Sequence, residues 1–344
     1  MNKKKNRNKV TMSHIAAKAG VSQSTVSLVL NNSNSIKLAD NTRKKVLRVA
    51  HEMGYESRVV ERNSSSEKII LVINGLINYD PFIEAINSAQ ECARLNNKLL
   101  AVFIHENSED NVKALEEEIN SGGYIGVIYA SSMTRELKLN SLNWTIPAVL
   151  LNGYCHDLPN VPCILPADKM GGYVVTHHLI KQGFKNIAIL TGELWMDASN
   201  DRIAGYRQAL IDNDIFPDDN YVQVTNWSLK EAYQKTLKLL SLSPRPEAIF
   251  CSSDYIALGC YQAILAQGLH IPDDIAVVGY DNQSLAAELT PGLTSYKLPY
   301  NEMGEIAVQT LLDVINQQPF LSSKLKVEGK LVVRKSSLKA KQKI

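Results

Sequence analysis

The chain has 344 residues, 45% hydrophobic and 21% charged, with a net charge of +2. This is the balance of a globular protein long enough for two or three cored domains, and it excludes a low-complexity or disordered chain. Five cysteines with no C-x-x-C pair oppose a disulfide framework or a zinc site and fit a reducing compartment.

The charge is unevenly spread. Residues 1–62 hold 13 Lys/Arg against 4 Asp/Glu, and the remainder holds 24 against 31. A basic head on a mildly acidic body fits a polyanion partner for the head. The opening "MNKKKNRNK" is followed by no apolar stretch, so it does not read as a signal peptide. No apolar run approaches the roughly 20 residues of a membrane span. A cytoplasmic protein without membrane contact is expected.

Thr11 can cap a helix over Ser13–Ala19, which Gly20 ends. Ser22 can cap a second helix running to about Asn31, with Ile15, Ala16, Ala19, Val21, Val26 and Leu30 as a shared core. A third helix is expected over Asn41–Met53. Two short helices around a Gly-containing turn make a helix-turn-helix, so residues 1–55 are expected to form an all-α DNA-binding domain. In that motif the second helix enters the major groove, and early side chains meet base edges. Gln23 suits adenine; Ser24, Thr25 and Ser27 suit bases or phosphates; Leu28 suits a thymine methyl. Thr11, Ser22 and Asn31 complete the expected contact set. Lys3–Lys9, Lys18, Arg43, Lys44, Lys45 and Arg48 would supply sequence-independent attraction to phosphates. A surface helix pair on an enzyme is the plainer reading, and the basic surround weighs against it.

Residues 56–67 begin "ESRVVERNSSS" and read as a hinge or linker. Beyond it, β-rich runs (69–73, 99–104, 126–130, 148–152, 186–190, 248–251 and 275–279) alternate with amphipathic stretches (82–96, 108–121, 169–182, 201–212, 229–241 and 254–267). Such alternation implies βαβ units and parallel sheets. Some 270 residues of it are too many for one sheet, so two doubly wound subdomains with a cleft are expected within residues 68–340. No G-x-S-x-G, P-loop or G-x-G-x-x-G is present, and "GGYIG" (122–126) reads as a turn. Adjacent His177 and His178 point about 100° apart on a helix and make no metal pair. No enzyme, metal or cofactor is expected.

"VTMSHIAAKAGVSQSTVSLVLNN" followed by "TRKKVLRVAHEMGY" closely resembles the head of the lactose/galactose repressor (LacI/GalR) family. The resemblance continues through "DRIAGYRQAL" (201–210), "SSDYIALG" (252–259), "IPDDIAVVGYDN" (271–282) and "LTSYKLPYNEMGEIAVQTLLDVI" (293–315). It implies a periplasmic-binding-protein-like body, with one subdomain at about 68–165 and 298–324 and the other at about 166–297 and 325–340. It further implies a ligand-responsive repressor, bound as a homodimer to a roughly palindromic operator and controlled by a small sugar-like effector in the interdomain cleft.

By the same resemblance, Arg202 matches a ligand-binding arginine whose planar fork can hold two hydroxyls, Asp281 an acceptor carboxylate, and Trp227 a stacking aromatic. Asn152 and Ser253 match further polar contacts. Tyr79, Asp80 and Phe82 occupy the first βα loop, and Tyr300 lies at a crossover. Phe82 and Tyr300 also suit core packing, Trp227 also suits a loop cover, and Asp254 is expected as an N-cap. Two departures stand out: Leu28 replaces a common arginine, and "YESRVVERNS" (55–64) lacks the family's hinge leucine, so Arg58 and Arg62 are expected to make phosphate contacts. The tail shows no leucine heptad, so no tetramer-forming extension is expected. The alternatives are control by a phosphorylated carrier protein, or a sugar-binding receptor.

Overall fold

Short apolar spacing at three and four residues builds the first unit. Helix α1 (Met12–Ala19) ends where Gly20 takes a left-handed conformation, φ 64°, which only glycine adopts without strain. Helix α2 (Gln23–Leu30) starts after Ser22, whose hydroxyl accepts the Thr25 N–H at 3.1 Å. Helix α3 (Asp40–Glu52) supplies Val46, Val49 and Ala50 to a core with Ile15, Ala16, Ala19, Val26, Val29 and Leu30. Val21 packs against it, partly buried.

The computed structural model describes residues 10–30, 40–53, 67–76, 80–105, 109–139, 145–319 and 322–339. The chain divides into two units, Met1–Ser65 and Ser66–Ile344. Asn31, Arg58, Arg62 and Tyr79, together with the hinge stretch, lie outside the described residues.

In the body, apolar β-branched runs form two six-stranded sheets. The first joins β1 (Glu67–Asn74), β2 (Lys98–His105), β3 (Tyr124–Glu136), β4 (Ala148–Tyr154), β5 (Cys163–Pro166) and β11 (Lys324–Val327). Their order is β11-β5-β4-β3-β1-β2, all parallel. The second joins β6 (Ile187–Thr191), β7 (Val222–Val224), β8 (Ala248–Cys251), β9 (Ala276–Asp281), β10 (Thr294–Lys297) and β12 (Lys330–Val332). Its order is β12-β10-β9-β8-β6-β7, with β12 antiparallel to β10. Connecting helices are α4 (Ile83–Leu95), α5 (Glu109–Ser121), α6 (Asp168–Lys181), α7 (Asp197–Ile211), α8 (Leu229–Leu240), α9 (Asp254–Ala266), the short α10 (Ser284–Glu288) and α11 (Tyr300–Ile315).

The chain passes between the sheets three times: after β5, after β10, and between β11 and β12. Because β11 pairs with β5, the last passage falls at residues 328–329, a few residues beyond the expected 324. Helix α11 follows the second passage and packs on α4 and β4 of the first subdomain. Strands that the apolar-run reading passes over (β5, β7, β10, β11 and β12) are three or four residues long. The carboxyl ends of both sheets supply the loops around the cleft, as open α/β sheets require of a ligand site.

Candidate functional site

On the first unit, Ser22, Gln23 and Ser24 are exposed, while Thr25, Ser27 and Leu28 are half-buried. The Ser22 hydroxyl lies 2.7 Å from the Ser24 hydroxyl and 2.8 Å from that of Thr25. These groups form one uncharged hydrogen-bonding face at the start of α2. Thr11 is exposed just before α1, and its N–H donates to His14 Nδ1 at 3.4 Å. Lys44, Lys45 and Arg48 are exposed on α3.

The body cleft is built around a buried guanidinium. Arg202 is 5% exposed and Asp168 1%. Arg202 Nε donates to Asp168 Oδ1 at 2.8 Å, and Nη1 donates to the Ser252 carbonyl at 2.6 Å. The Tyr280 hydroxyl donates to the same Asp168 oxygen at 3.0 Å, and its ring lies 3.9 Å from the guanidinium carbon. Burial alone would lower the Arg202 pKa; Asp168, Tyr280 and Asp281 outweigh it, and the group stays charged. Two of the three guanidinium nitrogens are thus held by protein. Nη2 has no hydrogen-bond partner among the described residues, so its two N–H groups are open to a ligand. Close helix packing brings Arg202 to Asp168. A Cβ on Gly172 would meet the Arg202 carbonyl at 2.3 Å, and one on Gly205 would meet the Lys169 carbonyl at 2.0 Å.

Trp227 follows β7 in a left-handed turn with Asn226, at φ 58° and 48°. Its indole N–H points to Met196 Sδ at 3.1 Å, and its ring lies 5.8 Å from the Arg202 guanidinium. Gly192 makes room for the indole, since a Cβ there would lie 1.9 Å from Trp227 Cε2.

Asp281 ends β9 at φ 98°. Burial pushes its carboxyl well above the usual carboxylate range; Arg202 opposes this, and Asp254, Asp80 and Asp168 reinforce it. Asp254 is not the N-cap that the sequence suggests. Ser253 caps α9 by accepting the Ile256 N–H at 3.0 Å. Asp254 instead turns inward, accepting the Gln283 N–H at 2.7 Å and the Ser295 hydroxyl at 2.6 Å, and so fixes the loop after Asp281. Burial raises its pKa to about 7 against those hydrogen bonds.

The cleft encloses about 430 Å³, within the range of about 300–1,000 Å³ usual for small-molecule sites. Of the residues singled out from sequence, Asp80, Arg202, Trp227, Ser253, Asp281 and Tyr300 line it. Phe82 and Asn152 do not, and both are corrected from contact to support. Phe82 is fully buried, edge-on to Tyr300 at 5.3 Å. Asn152, also fully buried, donates to the Ser131 and Ser132 carbonyls at 2.9 and 3.0 Å and accepts the Thr134 hydroxyl at 2.7 Å. It therefore shapes the tip of β3. That tip (Ser132, Met133, Thr134) lines the cleft, as do Tyr255 and Gln283, and the sequence reading missed all five. Their signal was position after a strand or at a helix start, not residue type. Among the described residues, no group of three or more His, Cys, Asp or Glu is placed to hold a metal, and no helix is long and apolar enough to cross a membrane.

Comparison with known proteins returns two family descriptions. "Bacterial regulatory proteins, lacI family" matches residues 11–58, and "Periplasmic binding protein-like domain" matches residues 176–337. The sequence is 31% identical to the ribose operon repressor of Haemophilus influenzae over 328 residues, 95% of this chain and 98% of that protein. It is 30% identical to the HTH-type transcriptional repressor PurR of Vibrio campbellii, over 94% of this chain and 97% of that one. Among solved structures it is similar to the lac repressor dimer bound to operator and the anti-inducer ONPF. There the TM-score is 0.72 at 26% identity, covering 96% of this chain and 100% of the other.

Proposed function

We propose, from the premise that the chain belongs to the lacI family of bacterial regulatory proteins, that it is a cytoplasmic repressor whose paired heads read a palindromic operator and whose cleft takes a neutral polyhydroxyl effector. The observation that carries the ligand class is the charge balance of the cleft. Among the described residues its lining offers the single cation Arg202, already bound to Asp168, beside the acidic side chains of Asp80 and Asp281. A phosphate or carboxylate ligand finds no unpaired cation there and faces two acidic side chains. Hydroxyls can accept from Nη2 and donate to Asp281, and the Trp227 ring suits the C–H face of a sugar.

The uncharged α2 face supports the operator role, since amides and hydroxyls can read base edges and the exposed Lys44, Lys45 and Arg48 can hold phosphates. A dimer is supported by the edge strand β2, where Leu99, Val102, Phe103 and Ile104 are exposed. An apolar sheet edge of that kind calls for a covering partner, here a second copy. The ribose operon repressor and the operator-bound lac repressor dimer, as named, support the same reading. Effector binding acts only through its differential affinity for two subdomain arrangements.

The test is a thermal-shift screen of neutral sugars, sugar phosphates and nucleosides on the full chain, since a cleft ligand stabilises by mass action. A neutral sugar is expected to raise the melting temperature, and Asp281→Ala to abolish the rise. Stabilisation by sugar phosphates or nucleosides alone would reassign the cleft.

A further inference from the structure

A second cavity, of about 560 Å³, adjoins the ligand cleft. Along β3, Ser132–Thr134 line the cleft and the next residues, Arg135–Leu139, line the second cavity. On α7, Ala198 lines the cleft, and Asp197 with the preceding Trp195 lines the second cavity. Asn74 and Arg135 stand at the carboxyl ends of β1 and β3, where the strand order of the first sheet reverses. Open α/β sheets bind ligands at that point.

Arg135 is held in place from both strands. Its Nε donates to Ser131 Oγ at 3.0 Å and its Nη2 to Asn74 Oδ1 at 2.9 Å, while Nη1 has no hydrogen-bond partner among the described residues. Each acid of the wall has a side-chain hydrogen-bond partner. Glu136 pairs with His156 Nδ1 at 2.7 Å, and Asp197 accepts the Tyr154 hydroxyl at 2.7 Å. Lys138 is exposed with no ion pair among the described residues, and Lys324 lies nearby over the Tyr154 ring at 4.1 Å. Trp195, 61% exposed, offers a free ring face.

We propose that this cavity is a second small-molecule site, for a carboxylate- or phosphate-bearing ligand with an apolar or ring body, its anionic group held by Arg135 and its body lying against Trp195. A pre-oriented guanidinium binds such anions well because little rotamer freedom is lost. Arg135 and Trp195 come from different subdomains, and the Tyr154–Asp197 hydrogen bond already joins those subdomains beside them. An occupant touching both therefore favours the same subdomain arrangement. The site prefers the ligand charge that the first cleft disfavours, and it does not rest on the operator reading.

The test titrates the purified full chain with benzoate and, separately, inorganic phosphate at constant ionic strength, by calorimetry. Saturable binding of at least one probe is expected, weakened about tenfold or more in Arg135→Gln, the scale of one lost charge-assisted hydrogen bond, and retained in Trp227→Ala. Benzoate alone would assign a carboxylate with a ring body, and phosphate alone a phosphorylated ligand. Should Arg135→Gln fail to fold by circular dichroism, the exposed-site variants Lys138→Gln and Trp195→Ala carry the test, each weakening binding several-fold. No saturable binding of either probe, binding unchanged in these variants, or binding lost in Trp227→Ala but kept in Arg135→Gln would overturn the proposal.

Discussion

The first unit and the body cleft solve recognition in opposite ways. The head shows uncharged groups to solvent: Ser22, Gln23 and Ser24 are exposed, and their hydrogen bonds are local. The cleft keeps ionised groups inside, with Arg202 and Asp168 almost fully buried against each other. An exposed face can change its contacts at little cost to folding. A buried ion pair ties binding to stability, because removing one partner strands the other. Substitutions in the two regions should therefore fail in different ways.

The sharpest break would come from Arg202→Ala. It leaves Asp168 buried and unpaired and is expected to cost about 3–5 kcal/mol of body stability, read by calorimetric melting; a loss below about 1 kcal/mol would show the pair is not structural. Gly192→Ala comes next. The added Cβ must displace Trp227, at about 1–3 kcal/mol for an overpacked site, with a changed tryptophan emission and weakened ligand binding; unchanged emission would mean the indole is not held as described. Gln23→Ala is expected to leave melting within about 0.5 kcal/mol yet relax discrimination at one base pair by about 1–3 kcal/mol. Lys44→Ala should weaken all duplexes alike and reduce the salt slope by about one. Equal losses of selectivity in these two variants would erase the division between base and phosphate contacts.

A further effect is a pH dependence confined to the body. Asp254 has its pKa raised from 3.8 to about 7 in the folded state, so the native protein binds the extra proton. The stability this contributes is fully present below about pH 3.8 and is lost as pH rises through about 7. The melting temperature should carry a downward component between pH 5 and 8, which Asp254→Asn removes. An identical pH profile in the variant would contradict this.

Legibility in the sequence follows the same division. The head was readable because its determinants are local: a hydroxyl residue before a helix, a glycine after one, and apolar residues three and four apart. Val29, Val46, Val49 and Ala50 extend the expected core without changing it. In the body, the apolar strands were readable, and the short β5, β7, β10, β11 and β12, at or next to the sheet edges, were not. Arg202 and Asp281 were singled out by resemblance. That Arg202 is bound to Asp168, 34 positions away, has no local signal. Nor does the bend of β3 past Ala130, where the register with β4 shifts and Ser132–Thr134 enter the cleft. The expected helix start at 201 was late because "DASN" (197–200) is polar, although α7 begins at Asp197. Asn152 is polar and ends the apolar run of β4, the profile of a ligand contact, but its amide is consumed in holding that bend.

The central claim is that occupancy of the cleft governs DNA affinity of the head. The direct measurement is the dissociation constant of the full chain for a duplex enriched from a random pool, with and without a neutral sugar that stabilises the protein. The account predicts an enriched palindrome, at least a fivefold change in affinity on adding the sugar, as expected for a typical coupling of about 1–3 kcal/mol, and loss of that change in Asp281→Ala with sugar-free affinity intact. No enriched sequence, or one affinity with and without the sugar, would contradict it.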